Sequence, residues 1–143
     1  MTQKDKELLL KDLCARLPYG IIVHIKSLED WGPLKPDLPL HEIDMKSSKE
    51  GGIQITAGLA ECWNIEDVKP YLRPMSSMTE EEEKELIKLG VCEYAFHNDV
   101  YDVGTYVDEA FTALSWLFEH HFDVNGLLEK DLAIEAPEGM YNF

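Results

Sequence analysis

Apolar side chains recur at helical spacing from the start of the chain. Leu9, Leu13 and Leu17 line up with Leu8, Leu10 and Cys14 beside them, while Lys4, Lys11 and Asp12 fall elsewhere. Thr2 stands in front as a side-chain N-cap, so an opening helix over residues 3–17 is expected. Pro18, Tyr19 and Gly20 stop it, and the β-branched run from Ile21 to Ile25 reads as a strand. Residues 27–40 carry Gly32, Pro33, Pro36 and Pro39, whose fixed backbone angles and missing donors predict a surface loop rather than a helix or a central strand. Leu40 to Met45 is expected as an edge strand. After the turn signal from Ser47 to Gly52, Ile53, Ile55 and Ala57 alternate with Gln54 and Thr56 as a half-buried strand, and the two should pair as a hairpin.

Asn64 to Val68 has the form of a capped helical turn that Pro70 keeps short. Pro74 to Met78 reads as a hinge. Thr79 with Glu82 three residues later makes a capping box ahead of Leu86, Ile87 and Leu89, with Gly90 at the end, which predicts a helix over residues 80–89. Residues 91–96 read as a short strand and His97 to Asp99 as a turn. Thr105 and Asp108 then open a helix over residues 106–121, whose stripe of Val107, Ala110, Phe111, Leu114, Leu117, Phe118 and His121 should face the core. Asp123 is expected to cap a last short helix over residues 125–130, followed by a strand or tail at Leu132 to Ile134.

These elements predict an α+β fold: a small, mainly antiparallel sheet of three or four strands packed with three to five helices, the N-terminal helix first. Strands and helices do not alternate as a doubly wound nucleotide-binding sheet requires. At 143 residues, one domain is expected, with a possible subdivision near residues 74–79.

Charge narrows the function classes. The 13 basic and 28 acidic residues give a net charge of −15, opposite to the footprint of a protein that neutralises phosphates. Residues 1–60 hold 8 Lys/Arg against 9 Asp/Glu, and residues 61–143 hold 5 against 19, so the C-terminal part carries −14. No run approaches the roughly 18 apolar residues of a membrane helix, and the start has no secretory pattern. Cys14, Cys62 and Cys92, odd in number and widely spaced, suit reduced thiols in a cytoplasmic setting rather than a disulfide frame.

Candidate chemistry is sparse. Gly51, Gly52 and Gly58 lack both the lysine of a P-loop and the spacing of a dinucleotide turn. Cys92, His97 and Asp99, with His120 and His121, are the residues from which a metal or cysteine site could be drawn. Adjacent histidines on a helix point about 100° apart, however, and a helix C-terminus favours a protonated imidazole on its own account. Glu80, Glu81, Glu82 and Glu83 suit the positive end of a helix dipole. Among the aromatic residues, Phe111 and Phe118 fall on the core stripe. Trp116 sits at its margin and Tyr101 and Tyr106 near a turn and a helix start, where large rings serve either contacts or core.

The stretch from Asn64 to Thr79, the opening from Met1 to Gly20, and the end from His120 through Asp123 to Glu135 and Asn142 resemble a family of small uncharacterised acidic proteins from Bacteroides-type gut bacteria and their prophages and mobile elements. The resemblance covers about half the chain, leaves residues 27–60 particular to this member, and implies a bacterial or phage cytoplasmic setting with no assigned activity. The leading expectation is a non-enzymatic accessory module that binds a basic protein partner through Glu80 to Glu83, Tyr101, Tyr106 and Trp116, with no cofactor, nucleic acid or membrane involved. Mimicry of nucleic-acid charge falls within that class. Two alternatives stand beside it: a small metal-dependent or cysteine enzyme using Cys92, His97, Asp99, His120 and His121, and a soluble acidic protein with no partner at its acidic face.

Overall fold

The computed structural model describes residues 1–30, 35–44, 53–58, 61–89 and 107–141. The expected features of residues 47–52 and 90–106 therefore lie outside the described residues, among them Cys92, His97, Asp99, Tyr101 and Tyr106. Helix α1 spans Gln3–Arg16 and begins on a capping box. Thr2 Oγ accepts from the Asp5 N–H at 3.1 Å, and the Asp5 carboxylate accepts from the Thr2 N–H at 3.1 Å. After a short 3-10 turn at Leu17–Tyr19, Gly20 takes a left-handed φ of 71° and sends the chain into β1, Ile22–Ile25. β2 runs Asp37–Asp44, β3 Gln54–Ala57 and β4 Glu61–Asn64. A 3-10 turn at Ile65–Asp67 leads to β5, Val68–Leu72. Then come α2 at Glu80–Lys88, α3 at Val107–Glu119 and β6 at Ile134–Glu135.

The fold is α+β, and the sheet is larger than the three or four strands predicted. Its six strands lie in the order β4-β3-β2-β1-β5-β6, antiparallel throughout except where β6 runs parallel to β5. The β2–β3 hairpin forms as expected, but β2 is an inner strand and contains Pro39. Hydrogen-bond direction resolves the conflict. Leu40 N–H donates to the Ile21 carbonyl at 2.9 Å and Ile25 N–H to the Pro36 carbonyl at 2.7 Å, so the Pro39 nitrogen points away from β1. It faces the end of β3, where Gly58, at φ 66°, donates to the Pro39 carbonyl at 3.0 Å as the ladder stops. Pro70 is placed in the same way within β5: it sits opposite Val23, one residue before the pairing with β6 begins at Tyr71. A proline is tolerated inside a sheet when its missing donor faces a place where no acceptor waits.

One face of the sheet packs under α1. Leu9 and Leu13 join Val23, Ile25, Ile55, Val68 and Leu72 in an aliphatic core, where each fully buried side chain contributes about 1.5–3 kcal/mol. The buried stripe of α1 is Leu9, Asp12, Leu13 and Arg16, so Asp12 does not fall off the packed face as its polarity predicts. Arg16 grips it with Nε at 2.5 Å from Oδ1 and Nη2 at 3.1 Å from Oδ2, and the pair enters the interior as one unit.

A second, smaller core forms from Leu86, Ala113, Trp116, Leu117 and Phe122. Here the predicted stripe of α3 is rotated. Phe111 is 73% exposed and Trp116 only 6%, because α3 is apolar around much of its circumference and its pattern does not select which arc turns inward. α3 ends in a Schellman motif: Phe122 N–H donates to the Leu117 carbonyl and His121 N–H to the Phe118 carbonyl, both at 3.0 Å, with His121 at φ 62°. Asp123 then accepts from Leu127 and Leu128 N–H at 2.8 and 3.1 Å, capping a turn where a short helix was expected. Tyr141 returns the C-terminal segment to the sheet. Its hydroxyl accepts from Ile22 N–H at 3.1 Å and donates to the Tyr71 carbonyl at 2.9 Å, standing in for a β1–β5 ladder bond. Among the described residues no helix is long and apolar enough to cross a membrane.

Candidate functional site

Two polar assemblies stand out. The first surrounds an open cleft of about 430 Å³ between the stretch that leads into α2 and the C-terminal segment. Pro74, Ser77 and Thr79 form one wall; Glu135, Pro137, Glu138 and Tyr141 form the other. Thr79 begins α2 with a capping box, its Oγ accepting from Glu82 N–H at 3.2 Å and its own N–H donating to Glu82 Oε1 at 3.2 Å. The four glutamates Glu80 to Glu83 therefore occupy the first turn of α2, as their spacing predicts.

Their roles divide. Glu82 faces inward and takes a two-pronged grip from Arg73 at 2.7 and 2.8 Å. Burial pushes its carboxyl up, but Arg73 and the Thr79 contacts outweigh that and hold it below the ordinary value. Arg73 also donates to the His120 carbonyl at 3.3 Å and lies 4.2 Å above the Phe122 ring. Among the described residues, the one cation on the cleft wall, Arg73, is thus committed to the protein itself. Glu80, Glu81, Glu135 and Glu138 are exposed and make no ion pair or hydrogen bond among the described residues.

Trp116 belongs to the interior, stacked between His120 at 3.9 Å and Phe122 at 6.0 Å. His120 Nδ1 donates to the Trp116 carbonyl at 2.8 Å. His121 turns elsewhere, its ring 3.9 Å from that of Tyr141. The protonated imidazole expected at this helix end is overruled at His121: burial, reinforced by the charges of Arg16, His120 and Arg73, lowers it to about 4. The two histidines address different partners. Among the described residues no three His, Cys, Asp or Glu side chains converge on a metal position.

The second assembly lies on the sheet face opposite α1 and was not anticipated. His24 of β1 places Nδ1 2.8 Å from Asp37 Oδ1 at the start of β2, and Nε2 2.7 Å from Glu29 Oε1. Tyr71 of β5 donates its hydroxyl to the same Asp37 oxygen at 2.8 Å, with its ring edge-on to the imidazole. Burial and the Asp37 carboxylate push the Tyr71 hydroxyl up to about 12, so it stays a neutral donor. Period-two alternation puts His24 opposite Val23 and Ile25, the only local signal of its role. Its partners sit 5, 13 and 47 residues away, and no sequence spacing links them. Comparison with family models, curated proteins and solved structures finds no match for this chain.

Proposed function

We propose that the protein is a non-enzymatic interaction module that takes a basic segment of a partner protein at the cleft between Thr79 and Tyr141. One observation carries this reading: Glu135 and Glu138 on one wall, and Glu80 and Glu81 just beyond the other, are exposed and have no cation partner among the described residues, while Arg73 is held by Glu82. Unneutralised carboxylates around a concavity raise the local concentration of cationic groups and steer their approach. The −14 charge of residues 61–143 extends the same field. Tyr141 and Pro137 add apolar surface for the stems of lysine and arginine. A role as an accessory factor of a phage or mobile element is part of the proposal, and it rests on the sequence resemblance alone.

The test is binding of lysine- and arginine-rich peptides to the full chain at low and high salt, with Glu135→Gln/Glu138→Gln as the comparison. Binding should weaken at least about tenfold between about 50 and 500 mM salt, because the screening length of exposed charges falls from about 14 Å to about 4 Å over that range. The double substitution should weaken it further. Salt-independent binding, or binding indifferent to the two glutamates, would overturn the assignment and leave the acidity as a solubility device.

A further inference from the structure

We propose that His24, Asp37, Glu29 and Tyr71 form a proton-operated clamp that ties β1 to the start of β2 and to the turn after β1, complete only when the imidazole carries both protons. The geometry requires this. A neutral imidazole has one N–H and one lone pair, yet both ring nitrogens of His24 lie within 2.8 Å of carboxylate oxygens, which only accept. Two such contacts at once need the imidazolium, a donor at both edges. The carboxylates stand at opposite edges of the ring, which also explains why they do not converge on a metal ion.

The surrounding charges favour the same state. From β2 comes Asp37, from the turn after β1 Glu29, and from β5 the neutral hydroxyl of Tyr71. Lys69 is the register partner of His24 on β5, and its ammonium is drawn to Asp131 at 3.0 Å. Burial works against the charged ring, and the hydrogen bonds and charges of Glu29 and Asp37 outweigh it, so His24 holds its proton above the ordinary value of 6.5. When the proton leaves, one carboxylate faces a lone pair. Tyr71 is built to absorb the change: its oxygen is 3.4 Å from Nδ1, and its hydrogen can turn from Asp37 to that nitrogen while Nε2–H keeps Glu29. The contact released is then the one between β1 and β2, and Asp37, 40% exposed, turns to water.

The experiment is an NMR titration of the His24 ring nitrogens and of the Asp37 and Glu29 carboxyl carbons in the full chain, repeated in Asp37→Asn and Glu29→Gln. The His24 midpoint should lie above that of a free imidazole and move down in each variant. Both carboxyl carbons should show an inflection at the His24 midpoint, which needs no substitution at all. A midpoint at or below the free value, a midpoint unmoved by both variants, or carboxyl carbons silent at that pH would each overturn the clamp.

Discussion

Under α1 the interior is closed, among the described residues, by fifteen buried side chains that are all aliphatic; at the junction of α2 and α3 five suffice, two of them aromatic. The difference lies in what fills the remaining space. Around the sheet, nonpolar area does most of the work, and strands β1, β3 and β5 alternate or run apolar accordingly. At the junction, cations lie on rings: Arg73 over Phe122 at 4.2 Å and Arg16 over Phe118 at 4.9 Å, with each guanidinium also tied to a carboxylate and a backbone carbonyl. A small core can thus be completed by polar groups that satisfy one another, at the cost of sensitivity to losing any one of them.

Arg16 is where the two regions meet, and its removal should have the largest effect. It leaves α1, pairs with Asp12, and donates from Nη2 to the Phe122 carbonyl at 2.6 Å, while Asn125 donates to the same Asp12 at 2.9 Å. Arg16→Ala strands a fully buried carboxylate, and removing one partner of such a pair costs about 3–5 kcal/mol. The double variant Asp12→Leu/Arg16→Met should cost less than the single one, because no orphaned charge remains. Chemical denaturation of the three proteins checks this. A double variant worse than Arg16→Ala would mean that Asp12 stabilises the junction through Asn125 even without its cation.

Two histidines sharpen the contrast, since their proton equilibria run in opposite senses. His24 has a raised folded value: its stabilisation is complete below 6.5 and is lost as pH rises through that raised value. His121 has a depressed one: its stabilisation is present above 6.5 and disappears as pH falls toward about 4. His121 is 3% exposed, so the full swing amounts to about 3 kcal/mol. Asn accepts the left-handed backbone at this position, which makes His121→Asn the suitable control. Relative to wild type, its stability should hold between pH 6.5 and 4, with the paired carboxylates common to both proteins cancelling in the difference. Equal slopes would show that His121 takes up its proton as readily in the folded as in the unfolded protein.

What the sequence disclosed follows the same division. The Thr2 cap, the Thr79–Glu82 capping box, the stop at Gly20, β1, the β2–β3 hairpin and the turn at Ile65 are visible in it, because each is settled by residues within a few positions of one another; the return contact from Asp5 to Thr2 is not. β5 is hidden by Pro70, and β4 by its polar ends Glu61 and Asn64, since both owe their place to neighbours across the sheet. Asp12 and Arg16 occupy stripe positions where a charge argues against burial until its partner is known. Trp116 and Phe111 exchange roles because hydrophobicity does not fix the rotation of a helix that is apolar on several sides. At the cleft, the acidic first turn of α2 is legible. The commitment of Glu82 to Arg73 is not, nor is the convergence of β1, β2 and β5 on His24.

The smallest expected effect asks whether the junction amplifies a purely local contact. Thr2 and Thr79 make matching capping boxes at 3.1 and 3.2 Å, one at the exposed start of α1 and one at the start of α2. Loss of an N-cap hydroxyl typically costs about 1 kcal/mol. At α1 the partner, Asp5, has a side chain that bonds, among the described residues, only to Thr2, so Thr2→Ala should cost no more than that. At α2 the partner is Glu82, whose backbone the cap fixes and whose carboxylate holds Arg73 over Phe122. Thr79→Ala should therefore cost more than Thr2→Ala, by a few tenths of a kcal/mol up to about 1 kcal/mol, within the usual range for caps. Paired thermal melts resolve such a difference, since about 1 kcal/mol shifts a chain of this size by several degrees. Equal losses would mean that the Arg73–Glu82 grip keeps α2 in register without its cap, and that the second core is as tolerant of local damage as the first.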